Sequence, residues 1–289
     1  MKTINTMKKG SLSLRCAILG IARSTYYEHG QREKVRYLRD QDTVTKLRTL
    51  AEAKKFKLGI KGLTMAYVRT HKQTINRKKV ARLKREYNIP TKIRMKGYAK
   101  PQQPKPTLGM IIPDNIINRQ FQVKTPYHFA GTDVTYLWIP QQSRFSYLAN
   151  VRDMATGEYL GWSVSCTNNQ ALADGAIIDM ERRHHRLPNL ILHSDRGGTY
   201  TAAHFQNNIL IARGITPSMS RKGNCIDNAP TESGHGHLKD WFDFSQCLNL
   251  EDIKIEVNRV LHYFNEERPQ WNKKKMTPVE YRNHLLLSA

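Results

Sequence analysis

The chain has 289 residues, enough for about two domains, and its 47 Lys and Arg against 24 Asp and Glu leave a formal net charge of +23. No apolar run approaches the ~18–20 residues of a membrane span, and the polar, basic amino terminus lacks a signal-peptide core, so a cytoplasmic protein with no membrane partner is expected. The four cysteines, Cys16, Cys166, Cys225 and Cys247, stand without C-x-x-C spacing, which argues against a zinc site and a disulfide framework alike.

The charge is unevenly spread. Residues 1–106 hold 28 Lys and Arg against 6 Asp and Glu, a net of +22, whereas 107–289 hold 19 against 18. A basic segment of that size is an electrostatic footprint for nucleic acid, because neutralising phosphates releases counterions. Two helix-turn-helix candidates lie inside it. In the first, Leu12, Cys16 and Leu19 form an apolar stripe that Gly20 breaks, and Ser24 is placed to cap a second helix through Tyr26 and Tyr27. The second is clearer: Leu63, Tyr67 and Val68 line a helix ending near His71, and Asn76 caps another over 77–87. There Val80, Leu83 and Tyr87 point inward at spacings of three and four, leaving Arg77, Lys78, Arg82 and Arg85 outside. That is the profile of a recognition helix in a major groove, and equally of a basic helix that touches only phosphates. This all-α region is expected over 1–96, followed by a linker over 97–122 in which Pro101, Pro104 and Pro106 keep the chain extended.

From 123 to 289 strands and helices alternate, as a mixed five-stranded sheet with flanking helices. The β-branched and aromatic run 128–138 reads as a strand, and 145–151 with 159–165 as a hairpin across Thr156-Gly157, with Asp153 structural at its turn. Helices are expected over 171–183 and 202–212, short strands at 189–194 and 215–219, and a striped helix through Ile253, Val257, Val260 and Phe264. Thr277-Pro278 opens a last helix. The order β-β-β-α-β-α-β-α is that of an RNase H-like fold. His193 either packs in its strand or reaches toward Asp195, and His184-His185 reads as a solvated helix end.

Three carboxylates fall at telling places. Asp133 sits mid-strand, Asp195 ends the strand 189–194 before Arg196-Gly197-Gly198, and Glu232 lies in the first turn of a helix that Pro230 opens and that runs to about Phe244. A carboxylate at a strand's carboxyl end faces the crevice of an open α/β sheet. Taken singly, Asp195 also reads as a turn residue and Glu232 as a first-turn glutamate favoured by the helix dipole. Together the three would repel one another unless metal binding compensates, which points to Mg²⁺ or Mn²⁺ and phosphodiester chemistry, two ions about 3.5–4 Å apart holding the attacking and leaving oxygens. Lys239, two helical turns beyond Glu232, projects from the same face and suits an adjacent phosphate. Asp227 competes with Glu232 for the third position; Arg221, Lys222 and Asn224 stand just before the helix, near enough to hold DNA.

The stretches Thr132 to Tyr136, His193 to Tyr200 and Ser218 to Glu232 resemble the DDE transposases of bacterial insertion sequences, in detail the OrfB type with a retroviral-integrase-like catalytic core. The tail from Tyr263 to Asn272, with Lys275 to Tyr281, resembles that branch's ending, and the likeness runs from about Ser11 to Leu286. The resemblance implies that Asp133, Asp195 and Glu232 are a catalytic and metal-binding triad with two Mg²⁺ or Mn²⁺ ions and that Lys239 is the basic residue paired with the glutamate. It also implies action on double-stranded DNA (the element's terminal inverted repeats and target DNA) by a homo-oligomer, in a bacterial, nucleoid-associated setting. Two departures stand out. The interval from Asp195 to Glu232 holds 36 residues, one more than is usual, and Ser233-Gly234 stands where the family has a pair of phenylalanines, removing packing under the glutamate. A nuclease of the same fold that never joins strands, and a DNA-binding regulator left by a decayed element, are the alternatives.

Overall fold

The computed structural model describes residues 11–92, 110–118, 123–221 and 229–288, with the backbone alone for 229–233. The chain divides into two compact units, Met1–Lys92 and Ile93–Ala289. Among the described residues no helix is long and apolar enough to cross a membrane.

In the first unit α1 (Leu12–Ile18) is capped by Ser11, whose Oγ accepts from Leu14 N at 3.3 Å. Of the expected stripe Cys16 is buried, but Leu19 is exposed. Gly20, at φ +61°, turns the chain as a side-chain-bearing residue rarely does. The next helix differs from expectation: α2 (Arg23–Ala53) starts after Ala22 rather than at a Ser24 cap and runs for 31 residues. Pairs such as Arg32 with Glu28 and Lys46 with Asp42 at i,i+4 support its length. Burial begins only at Asp40 and continues through Thr43, Val44, Leu47 and Ala51.

Helix α3 (Ile60–His71) buries Leu63 and Tyr67, and α4 (Arg77–Glu86) buries Val80 and Leu83 beneath an Asn76 cap whose Oδ1 accepts from Lys78 N at 2.8 Å. Tyr87 stacks on Tyr37 of α2 at 6.2 Å. Asp40, 1% exposed, takes Arg82 at 2.6 Å and Lys79 at 3.1 Å, tying α4 to α2. Burial pushes its carboxyl up, but the two cations outweigh that and hold it below the ordinary carboxylate value.

The second unit is built on a five-stranded sheet in the order β3-β2-β1-β4-β5. Strands β1 (Phe129–Ile139), β2 (Arg144–Asp153) and β3 (Tyr159–Ser165) run antiparallel, while β4 (Ile191–Ser194) and β5 (Thr216–Met219) add in parallel on the other side of β1. With α5 (Gln170–His184) packed on β2 and β3, this mixed sheet with flanking helices is an RNase H-like core. Its interior joins Ala130, Val151, Leu160, Ile177, Met180 and Leu192. Asp153 is structural as expected: its carboxylate accepts from Tyr127 N, Thr156 N and Thr156 Oγ1 at 2.7–2.8 Å and closes the hairpin turn.

Three segments depart from the sequence pattern. The helix expected over 202–212 is a short turn, Gly198–Thr201, followed by a π-helical stretch, His204–Leu210, which Gln206 braces by donating to Tyr200 O at 2.6 Å. The helix α6 (Ala229–Lys239) stops before Phe244. His184 is half-buried, 3.4 Å from Tyr127 Oη, and burial with Arg282 and Arg183 nearby pulls it down to about 4, so it is no solvated helix end. Beyond α6, α7 (Leu250–His262) and α8 (Pro278–Leu287) each begin with a reciprocal capping box, from Asn249 and Thr277.

Candidate active site

Strands β1 and β4 are parallel neighbours with Gly131 opposite His193. Two residues further along, Asp133 and Asp195 therefore come level, both on the carboxyl-end side of the pairing, and they line one crevice with Asn168, Thr199 and Tyr200. Asp133 Oδ1 accepts from Val134 N at 2.8 Å. Asp195 Oδ1 accepts from Gly197 N at 2.8 Å, so the strand-end turn and a seat in the crevice are two properties of one aspartate. A Cβ on Gly197 would fall 2.9 Å from that oxygen, which is why glycine follows there.

Tyr200 closes the floor. It is 2% exposed, its hydroxyl lies 3.3 Å from Thr132 Oγ1, and burial, then the charges of Asp133 and Asp195, push its phenol well above the ordinary value. A phenol kept protonated in this way is a poor nucleophile.

Helix α6 covers the same part of the sheet. His235, 7% exposed, places Nδ1 3.4 Å from Asp133 Oδ2 and Nε2 2.8 Å from Asn150 Nδ2, and Asn150 is the cross-strand partner of Asp133. Glu232 is in the first turn of α6, and its side chain lies outside the described residues. Lys239 is the last residue of α6 and half-buried. A Cβ at Gly234 would meet Arg152 Nη1 at 2.7 Å and Tyr159 Oη at 3.2 Å, so the space under this part of the helix is filled by Arg152 and Tyr159.

Other expected residues fall elsewhere. His193 is fully buried with Nδ1 3.0 Å from Ser218 Oγ and Nε2 3.1 Å from Ser220 Oγ, a packed strand histidine. Arg221 is exposed next to that pair of serines, while Lys222, Asn224 and Asp227 lie outside the described residues. On α4, Arg77, Lys78 and Arg85 are exposed, and Arg82 is bound by Asp40 and Glu86, each at 2.6 Å.

Among the described residues no three metal-ligating side chains converge, the Glu232 side chain being outside them. Two aspartates on one crevice nevertheless offer the hard oxygen donors that Mg²⁺ and Mn²⁺ take. Sequence reasoning passed over His235, Asn150 and Asn168. For the first two a signal existed: a histidine one turn after the glutamate, and a lone amide in the apolar strand opposite Asp133.

An integrase core domain family matches residues 124–225, and a second integrase core domain family matches 213–278. The InsK protein of insertion sequence element IS150 from Escherichia coli (strain K12) is 30% identical over 91% of this chain and 90% of its own length. The 31 kDa protein of insertion element IS600 from Shigella sonnei is 28% identical over 92% of this chain and 97% of its own. The transposase InsF of insertion sequence IS3A, also from Escherichia coli, is 31% identical over 61% of this chain and 60% of its own. Likeness sustained over nearly the whole of both chains, on top of this sheet order and the two aspartates it brings level, settles the family: the chain belongs to the DDE transposases of bacterial insertion sequences, OrfB type, built on an integrase core.

Proposed function

We propose that Asp133, Asp195 and Glu232 form the catalytic triad of this transposase and hold two divalent ions, with Lys239 beside them on the phosphate next to the reacting one. The observation that carries this reading is that β1 and β4 bring Asp133 and Asp195 level on one crevice, while the helix that bears Glu232 packs on β1. The integrase core family is divalent-metal dependent, and Mg²⁺ or Mn²⁺, when bound, neutralises charge on the attacking and leaving oxygens.

The chain's own residues supply position. The Val134 and Gly197 N–H groups each fix one oxygen of the two aspartates. Lys239 and, in the sequence just before α6, Arg221, Lys222 and Asn224 hold DNA near them. In the first step water attacks the phosphodiester at the element's end: its oxygen bonds to phosphorus, the P–O3′ bond breaks, and a 3′-hydroxyl and a 5′-phosphate are released. In the second that hydroxyl attacks another strand, displacing its O3′, and one end joins the flank of the other. No covalent protein intermediate arises, consistent with the buried, protonated Tyr200.

The exposed Arg77, Lys78 and Arg85 of α4, with Arg82 behind them, face the terminal inverted repeats as double-stranded DNA. The enzyme works as a homo-oligomer on that DNA, in the cytoplasm at the nucleoid.

Asp133→Ala, Asp195→Ala and Glu232→Ala are each expected to lower metal-dependent cleavage of an end-labelled duplex on the order of 10³-fold or more while end binding persists. With Mg²⁺ the parent protein should also yield labelled products longer than the substrate. Near-normal cleavage by Glu232→Ala would move the third position to Asp227, and shortened fragments alone would make the protein a nuclease without strand transfer.

A further inference from the structure

Asp133 Oδ2 does not face open crevice alone. His235, one turn beyond Glu232 on α6, brings its Nδ1 to 3.4 Å from that oxygen. The ring is held from its far side by Asn150, whose Nδ2 lies 2.8 Å from Nε2. Asn150 is 0% exposed and pairs with Asp133 across β1 and β2, so strand register and helix position together aim one ring nitrogen at the carboxylate.

The hydrogen-bonding roles are constrained. An amide NH₂ only donates, so Nε2 accepts from Asn150 and the single proton of a neutral ring sits on Nδ1, facing Asp133. Turning the amide over would let Asn150 Oδ1, otherwise without a partner, accept from an Nε2–H. A neutral ring in that arrangement would turn a bare Nδ1 lone pair on the carboxylate, which is repulsive, so the amide orientation with Nδ2 toward Nε2 is the one that suits both partners.

We propose that His235 is a positioning residue for the metal site: it orients the Asp133 carboxylate through Nδ1–H, with Asn150 fixing the ring. The inference rests on the reading of Asp133 as a metal ligand. A carboxylate that ligates a cation through one oxygen needs its rotation fixed by hydrogen bonds to the rest of the group, and losing such an outer partner typically lowers metal affinity about 10–100-fold.

Variants of the full chain separate the two nitrogens. An Asn amide superposes on Nδ1 and a Gln amide on Nε2, so His235→Asn keeps a donor toward Asp133 and His235→Gln does not. The Mn²⁺ concentration giving half the metal-induced rise in thermal midpoint, measured without DNA, should increase roughly 10-fold or more for His235→Gln and His235→Phe, and stay within about 3-fold of the parent for His235→Asn. Half-saturating Mn²⁺ for cleavage should follow the same order. Equal Mn²⁺ dependence of the Asn and Gln variants would overturn the proposal, and that comparison decides the matter even if the Phe variant does not fold. Asp133→Ala serves as the reference: if it keeps the full Mn²⁺ response, the metal-ligand reading has failed rather than the role of His235.

Discussion

At Gly161 strand β3 comes so close to α5 that a Cβ would stand 2.4 Å from Met180 N and 2.5 Å from Ala176 O. Both are backbone atoms of a packed helix, with no side chain free to swing away. Gly161→Ala is therefore expected to destabilise the protein by about 3 kcal/mol. Gly236 is the counter-example: it lies within α6, and nothing stands within 4 Å of the Cβ it lacks. There Gly236→Ala should stabilise by about 0.5–1 kcal/mol, the ordinary gain of helix propensity. Denaturant midpoints of the two variants should move in opposite directions, and a stabilised Gly161→Ala would refute the close approach. Neither environment is legible from sequence, since periodicity identifies a strand or helix but not the distance to its neighbour. The same limit applied at Gly234, which reads as a packing loss although Arg152 and Tyr159 occupy the space. Asp133 and Asp195 were legible because a charged residue inside or at the end of an apolar strand breaks the pattern around it. His235 and Asn150 needed the register of three elements before their pairing existed.

Elements whose buried face repeats regularly were read closely from sequence; those defined by something else were not. Strand β3 was expected and found over the same residues, 159–165. Helix α2 was expected only as far as Tyr27, because from Arg23 to Arg39 it buries nothing and Val35 and Leu38 are 65% and 71% exposed. No apolar period announces the first half of this helix, which rests on local pairs; burial starts only at the carboxylate of Asp40 and continues through Val44, Leu47 and Ala51. That carboxylate, Asp40, is also the joint between α2 and α4, and Asp40→Asn would leave Lys79 and Arg82 facing a neutral amide. Since the side chains of these two cations are 32% and 24% exposed and retain some solvent, the expected loss is about 2–3 kcal/mol at pH 7, at the lower edge of what breaking a buried pair costs. The folded-state carboxyl is held below its ordinary value. Its contribution is thus complete above the unfolded pKa of about 3.9 and fades as pH falls through the folded value. Urea unfolding of parent and variant should differ most near neutrality and converge below about pH 4. A difference that grew on acidification would contradict the ion pair as the source.

Over the whole chain, charge and chemistry are divided between segments. The first 106 residues carry a net +22, whereas the part that holds the carboxylates has 19 Lys and Arg against 18 Asp and Glu. On the proposed function, a near-neutral part holding the carboxylates would not bind DNA indiscriminately at its site, and the basic third would supply attraction that is long-ranged and salt-dependent. Within that third, exposure distinguishes residues that look alike in sequence. Arg77, Lys78 and Arg85 are exposed, while Arg82 is committed to Asp40 and Glu86. If the three exposed cations each neutralise a phosphate, replacing all of them with alanine should reduce the slope of log affinity against log salt by about 2.7, roughly 0.9 for each phosphate no longer neutralised. Binding of the full chain to an end-containing duplex, measured over a range of KCl, reads this directly. Arg82→Ala should behave differently, lowering the thermal midpoint more than it changes the slope, because its guanidinium closes the joint between α2 and α4. A triple variant with the parent's slope would mean that the DNA-facing surface of this unit is not α4, and an Arg82→Ala protein of parental stability but reduced slope would return Arg82 to the DNA.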